Sequence, residues 1–363
     1  MTTALFGDTY RGRRVLVTGH TGFKGSWLTL WLQALGARVF GLSLPPDTTP
    51  SHTRLLGLPM DEALVDLRDT PAVRAAVRRF EPEIVFHLAA QALVRRSYVE
   101  PAATFDTNVM GLVNLFESVR AAPSVRAVVN ATTDKCYENR DTHDGYRETD
   151  ALGGHDPYSA SKACAEIVSA SYRASFLANA AHPVGVATAR AGNVIGGGDW
   201  SEDRLIPDLV RAAIAGRITP IRNPHATRPW QHVLEPLSGY LLLGQRLLDD
   251  PASVAEAWNF GPEADGHLNV GEVITRFTSH WPAVRHETDA SSTHPHEAAL
   301  LHLDCGKARR ELGWRPVWGP DTMIERTAGW YRAHHLSRAL LSHDDLHRYV
   351  EDARAAGLPW THP

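Results

Sequence analysis

The chain has 363 residues, 43% hydrophobic and 21% charged, with a formal net charge of -4; this is ordinary for a globular protein with a sizeable core. The slight acidic balance excludes a dedicated nucleic-acid or anionic-membrane surface, which needs a basic excess. Three cysteines (Cys136, Cys164, Cys305) lie far apart without a CxxC pair, so a reducing compartment is expected, with neither a disulfide framework nor a structural zinc.

The N-terminal MTTALFGDTYRGRR has no apolar stretch long enough for a signal peptide. The most apolar early window, Trp27 to Leu44, is interrupted by Gln33 and Arg38 and makes a poor membrane span. The expectation is a soluble, cytoplasmic protein.

RRVLVTG at 13–19 reads as a strand ending in Gly, and SWLTLWLQALG at 26–36 as a helix that stops at Gly36. ARVFGLSL at 37–44 is a second strand. PAVRAAVRRFEP at 71–82 is a helix with a charged face, and EIVFHLAA at 83–90 a buried strand. A long helix spans 104–122, followed by the strand VRAVVNAT and, later, a helix over 157–177. Strands alternating with helices of these lengths predict an α/β fold, a doubly wound Rossmann-type parallel sheet. From about residue 190 Gly and Pro become frequent, which predicts a smaller C-terminal lobe over the sheet's C-terminal edge. Residues 303–319 read as a short helix inside that lobe.

VLVTGHTGFKGSWL places Gly19, Gly22 and Gly25 between a strand and a helix, with Phe23 and Lys24 in the same turn. Gly19 permits the tight turn, Gly22 lets the backbone approach a pyrophosphate, and Gly25 lets helix and strand pack closely. The spacing is G-x-x-G-x-x-G. At the end of the second strand, where an acid would hold an adenosine ribose, stands Ser43, so only a lean toward NAD over NADP follows. Asp66 and Leu67 are candidate adenine contacts. Leu88, Ala89 and Ala90 would line the cofactor channel.

PYSASKACAEIVSASY puts Tyr158 and Lys162 four residues apart on a helical pattern, so both share one face. An ammonium beside a phenol favours the phenolate, which makes Tyr158 a candidate base. A YxxxK match alone is common by chance. It gains weight from the glycine turn and from Thr133, which closes the intervening strand in ATTDKCY.

The glycine turn, HLAA, TNVMG, the Thr133 strand end and YSASK resemble the extended short-chain dehydrogenase/reductases that act on nucleotide sugars. TTDKCYENR, RAGNVIGGGDW, RLIPD, RNPHATRPWQHVLEPL and HPHEA resemble the branch that dehydrates CDP-glucose. The resemblance runs from about residue 8 to 335 and implies a 4,6-dehydratase with a recycled NAD cofactor. It implies that Tyr158 serves as base at sugar C4, Thr133 holds the C4 oxygen and Asp134 protonates the departing C6 hydroxyl. In related dTDP-glucose dehydratases a Glu follows that Asp and removes the C5 proton. Here Lys135 stands in its place, either as a base of depressed pKa or as an electrostatic support for the C5 enolate.

The resemblance further implies that Arg228 and Asn193 contact the nucleotide, with Arg204, Arg222 and His296 as further substrate candidates. His294, His296 and Glu297 resemble metal ligands only weakly, and this chemistry needs no metal. Trp200 and Trp230 are candidates to flank the base or sugar.

The expected organisation is an NAD-binding Rossmann domain at 1–190 carrying the catalytic residues, an interleaved substrate lobe at 191–345, and a tail at 346–363. Pairing through the helices at 104–122 and 157–177 predicts a homodimer or a dimer of dimers. Three rival readings remain: a dehydratase for a dTDP-, GDP- or UDP-hexose, a 4-epimerase, and a non-catalytic dinucleotide sensor. A 4-epimerase has no use for an acid beside the Thr, and a sensor would commonly lose the Tyr or Lys.

Overall fold

In a computed structural model, residues 5–142, 144–221, 223–289 and 300–362 are described. Six strands follow in chain order: β1 (Arg14–Thr18), β2 (Arg38–Ser43), β3 (Asp61–Leu64), β4 (Ile84–His87), β5 (Ala127–Ala131) and β6 (Gly185–Ala191). With the edge strand Ala257–Phe260 they form one seven-stranded sheet in the order edge strand, β6, β5, β4, β1, β2, β3. Every pairing is parallel. This is the doubly wound architecture expected from the strand–helix alternation.

Side chains alternate across a strand, and here both faces are covered. Val15 and Val17 of β1 join a core with Trp27, Trp31, Leu237 and Tyr240. Leu16 between them points to the opposite core, with Phe40, Val73 and Leu112. The strands therefore read as unbroken apolar runs. A third core, containing Ile206, Leu209, Phe277, Ile324, Trp330 and Tyr331, belongs to the smaller lobe. Its main helices are Leu205–Ile214, Val270–His280 and Pro320–Ser337.

Several elements differ from their sequence outlines. The first helix starts at Phe23, directly after Gly22, and spans Phe23–Ala34. The long helix expected at 104–122 is continuous from Pro101 to Arg120 but carries a π turn at Asp106–Met110. At Gly111 a Cβ would lie 2.9 Å from the Leu67 side chain. The helix at 157–177 is α over Pro157–Tyr172 and ends in a π turn at Arg173–Leu177.

Residues 303–319 hold the expected short helical segment, but not within the lobe core. They make a short π turn at Ala308–Leu312, and Ala308, Leu312, Trp314 and Trp318 bury into the sheet-side core. Local charge and spacing could not show which core those apolar groups join. Residues 346–362 fold mainly as the end of the helix Ser342–Ala355, with Leu346, Tyr349 and Val350 in the same core. The helix Leu234–Asp249 also packs there, so the chain returns to the sheet after entering the lobe.

Candidate active site

The glycine turn sits where β1 meets β4. Gly19 has φ +74, and a Cβ there would lie 2.7 Å from the Ala89 nitrogen. A Cβ on Gly25 would fall 2.0 Å from the Gly19 carbonyl oxygen, so only glycine allows the strand and helix this approach. Gly22 caps the helix Phe23–Ala34 without a side-chain hydrogen bond, which leaves the first-turn N–H groups open to an anion. The backbone nitrogens of Leu88 and Ala89 donate to the Thr18 hydroxyl, each at 3.2 Å. Gly19, Gly22, Gly25, Leu88 and Ala89 thus form one cradle with Ala90 beside it, and the cradle fits a dinucleotide pyrophosphate.

The outer cofactor candidates divide. Ser43 ends β2, and its hydroxyl meets that of Thr21 at 2.7 Å. Asp66 is held by Arg68, with an oxygen 2.6 Å from the guanidinium, and that pairing keeps its carboxyl below the usual range. Leu67 is buried in the sheet core, and its carbonyl accepts from Asn114 at 2.9 Å. Sequence reasoning missed a further acid, Glu62, whose carboxylate reaches His20 of the glycine turn at 2.8 Å.

The catalytic candidates converge at the end of β5. Thr133, in extended conformation, caps a single 3-10 turn at Asp134–Cys136. Its hydroxyl donates to Asp134 Oδ1 at 3.0 Å and lies near the Tyr158 hydroxyl. Asp134 is fully buried, and its Oδ2 has no hydrogen-bond partner in the structure. That oxygen faces Gly192, where a Cβ would come within 3.0 Å of it. Lys135 Nζ lies 3.5 Å from Asp134 Oδ1 and its side chain is 31% exposed.

Asp156 starts the next helix by accepting from the Ser159 backbone, which turns Tyr158 and Lys162 toward the strand end. The expected lowering of the Tyr158 pKa by Lys162 is not what this arrangement produces. Burial pushes the phenol up to about 12, opposed by the Thr133 hydroxyl and the Arg204 cation. Lys162 instead donates to the Ala131 carbonyl at 3.0 Å, and burial brings its pKa down to about 8. Lys24 lies in the same electrostatic cluster. Burial, together with Arg204, Lys162 and Lys135 as like charges, lowers it to about 7 against the pull of Asp134.

Of the substrate candidates, Arg204 is at this cluster and bonds Asp199 at 3.2 Å. Arg228 is buried in the short strand Thr227–Pro229 and donates to the Thr227 carbonyl at 2.9 Å. The carbonyl of Asn193 accepts from Gln231 at 3.0 Å. Arg222 and His296 lie outside the described residues, as do His294 and Glu297. Trp200 and Trp230 are both buried in the lobe core, and the Trp230 indole donates to the Leu268 carbonyl.

A profile of the family described as GDP-mannose 4,6 dehydratase matches residues 16–327. The chain is 49% identical to the CDP-glucose 4,6-dehydratase of Salmonella typhimurium strain LT2, across 89% of this chain and 92% of that protein. It is 30% identical to a dTDP-glucose 4,6-dehydratase of Streptomyces antibioticus, across 88% of this chain and 92% of that protein. Among solved structures, the DesIV dTDP-glucose 4,6-dehydratase of Streptomyces venezuelae, with NAD bound, superposes with a TM-score of 0.74 at 26% identity. That match covers 88% of this chain and 97% of that one. The resemblance drawn from the motifs is borne out, and the chain belongs to the GDP-mannose 4,6 dehydratase family.

Proposed function

We propose that this chain is a CDP-glucose 4,6-dehydratase, a hydro-lyase that converts CDP-glucose to CDP-4-keto-6-deoxyglucose and water. The observation that carries the reading is the Thr133–Asp134–Lys135 turn facing Tyr158, in a chain 49% identical to a CDP-glucose 4,6-dehydratase. The cradle built on Gly19, Gly22 and Gly25 suits NAD, with Phe23 and Lys24 in the same turn.

When bound, NAD supplies a reversible hydride acceptor, so sugar C4 is oxidised, C6 is finally reduced and net redox is zero. Tyr158 takes the proton of the C4 hydroxyl. Thr133, near it, holds the C4 oxygen. Lys162 fixes the helix against the Ala131 carbonyl. With a ketone at C4 the C5 proton becomes acidic; Lys135 removes it and returns it to C5 when C6 is reduced. Asp134 protonates the C6 hydroxyl as it leaves; its unpartnered Oδ2 is the atom free to carry that proton. Arg228, Arg204, Asn193, Arg222 and His296 are assigned to the nucleotide and sugar.

A homodimer goes with this reading. Met110, Ile167 and Phe176 expose apolar surface along the two helices expected to pair, at 48%, 58% and 43%. The protein is assigned to the cytoplasm; among the described residues no helix is long and apolar enough to cross a membrane.

The test is incubation with CDP-, dTDP-, UDP- and GDP-hexoses, following the 4-keto-6-deoxy product by its absorbance in base, with and without added NAD. Turnover of CDP-glucose supports the proposal. Dehydration of another nucleotide hexose alone would move the substrate assignment, and C4 inversion without water loss would make the chain an epimerase.

A further inference from the structure

Beneath the reacting groups lies a buried network that the mechanism above does not use. Glu166 follows Lys162 by one helical turn and is 4% exposed. Its carboxylate accepts from the Thr132 hydroxyl, from the Thr188 hydroxyl at 2.6 Å and from Arg190 at 2.9 Å. Arg190, on β6, is 3% exposed. Its other terminal nitrogen donates to the Tyr137 hydroxyl at 2.8 Å and to the Glu148 carbonyl at 3.1 Å. Tyr137 in turn donates to Asn259 at 2.7 Å, and the Arg190 guanidinium lies 4.8 Å from the Tyr137 ring centre.

Thr132 precedes and Tyr137 follows the segment Thr133–Cys136 that carries Asp134 and Lys135. The network thus grips that turn at both ends. Its anchor, Glu166, is on the helix that carries Tyr158 and Lys162.

We propose that Glu166, Arg190 and Tyr137 are positioning residues that set the elimination pair Asp134–Lys135 in register with the oxidation pair Tyr158–Lys162. A fully buried ion pair is a costly way to gain stability alone. Here Glu166 accepts from two threonine hydroxyls besides Arg190, and Arg190 makes two further hydrogen bonds through one terminal nitrogen, only its Nε lacking a partner, which gives the pair a fixed geometry. The two half-reactions act on adjacent sugar carbons and need the two pairs at a fixed spacing. A displacement on the order of 1 Å is enough to cost about a hundredfold in rate.

This inference rests on the dehydratase reading and is tested by splitting the half-reactions. Glu166→Gln removes the charge, and Tyr137→Phe releases one end of the turn while leaving the ion pair intact. In single turnover with CDP-glucose, both variants should accumulate reduced nicotinamide and slow the exchange of C5 hydrogen with solvent. Their kcat should fall roughly ten- to a hundredfold, with KM little changed. Glu166→Asp, which keeps the charge, should recover part of the loss. The proposal is overturned if neither variant accumulates reduced cofactor and any loss follows only the folded fraction in thermal melts. Should Glu166→Gln fail to fold, Tyr137→Phe decides. A wild type inactive on CDP-glucose but active on another nucleotide hexose refutes the substrate assignment alone, and the split is then read on that hexose. Inactivity on all of them overturns both.

Discussion

Glu235 gives a quantitative test of how this chain is held together. It lies in the first turn of the helix Leu234–Asp249 and is completely buried. Its carboxyl accepts from the Val317 nitrogen at 3.0 Å, the Trp318 nitrogen at 2.8 Å and the Tyr349 hydroxyl at 2.6 Å. One side chain thus ties together three separate segments. Burial outweighs these donors and raises its pKa from 4.5 to about 7. The folded chain therefore binds more protons than the unfolded chain between those two values, and stability must fall as pH rises through that window. At about 1.4 kcal/mol per pKa unit, Glu235 contributes a loss of about 2.5 kcal/mol between about pH 5 and pH 8. Glu235→Gln cannot ionise and removes this slope, although it lowers absolute stability by giving up an acceptor. Denaturant unfolding of both proteins across that range isolates the effect as a difference. Asp345, which burial raises to about 7, and the buried His52, His87 and His232, lowered to about 3, are common to both and cancel. Parallel stability-against-pH curves for the two proteins would refute the reasoning.

Three further outcomes are expected. Lys135→Met should still reduce bound NAD when given substrate but should not exchange C5 hydrogen with solvent; normal exchange would remove the amine from the base role. Gly25→Ala should abolish NAD binding in titration calorimetry, because the added methyl carbon would fall 2.0 Å from the Gly19 oxygen; wild-type affinity would mean that the turn yields. Ile167→Glu should shift the protein to monomer in analytical ultracentrifugation, since it puts a charge on a side chain that is 58% exposed on an apolar helix face; an unchanged sedimentation profile would place the pairing surface elsewhere.

The lesson for reading such chains comes from particular residues. The β1–turn–helix unit was legible because its requirements are local: Gly19 needs a positive φ, and Gly25 must let two backbones touch. The Tyr158–Lys162 pair was equally legible, because a four-residue spacing fixes a shared helix face. What those two groups do to each other was not. Lys162 turned out to bond the Ala131 carbonyl, and burial outweighs charge at Tyr158. Trp200 and Trp230 show the same limit, since a large apolar ring reads alike in a cleft wall and in a core.

The chain's own pattern therefore determined the sheet class, the glycine turn, the Thr133–Asp134–Lys135 order and the Tyr158 helix, all of which follow from short-range backbone rules. Only the tertiary structure joined Thr132, Glu166, Thr188, Arg190 and Tyr137 into one network. It alone brought Lys24 into the charge cluster of Arg204, Lys162, Asp134 and Lys135 and returned residues 305–318 to the sheet-side core. Those placements depend on which strands lie next to each other and on how deeply each charge is removed from water, and neither quantity is carried by sequence spacing.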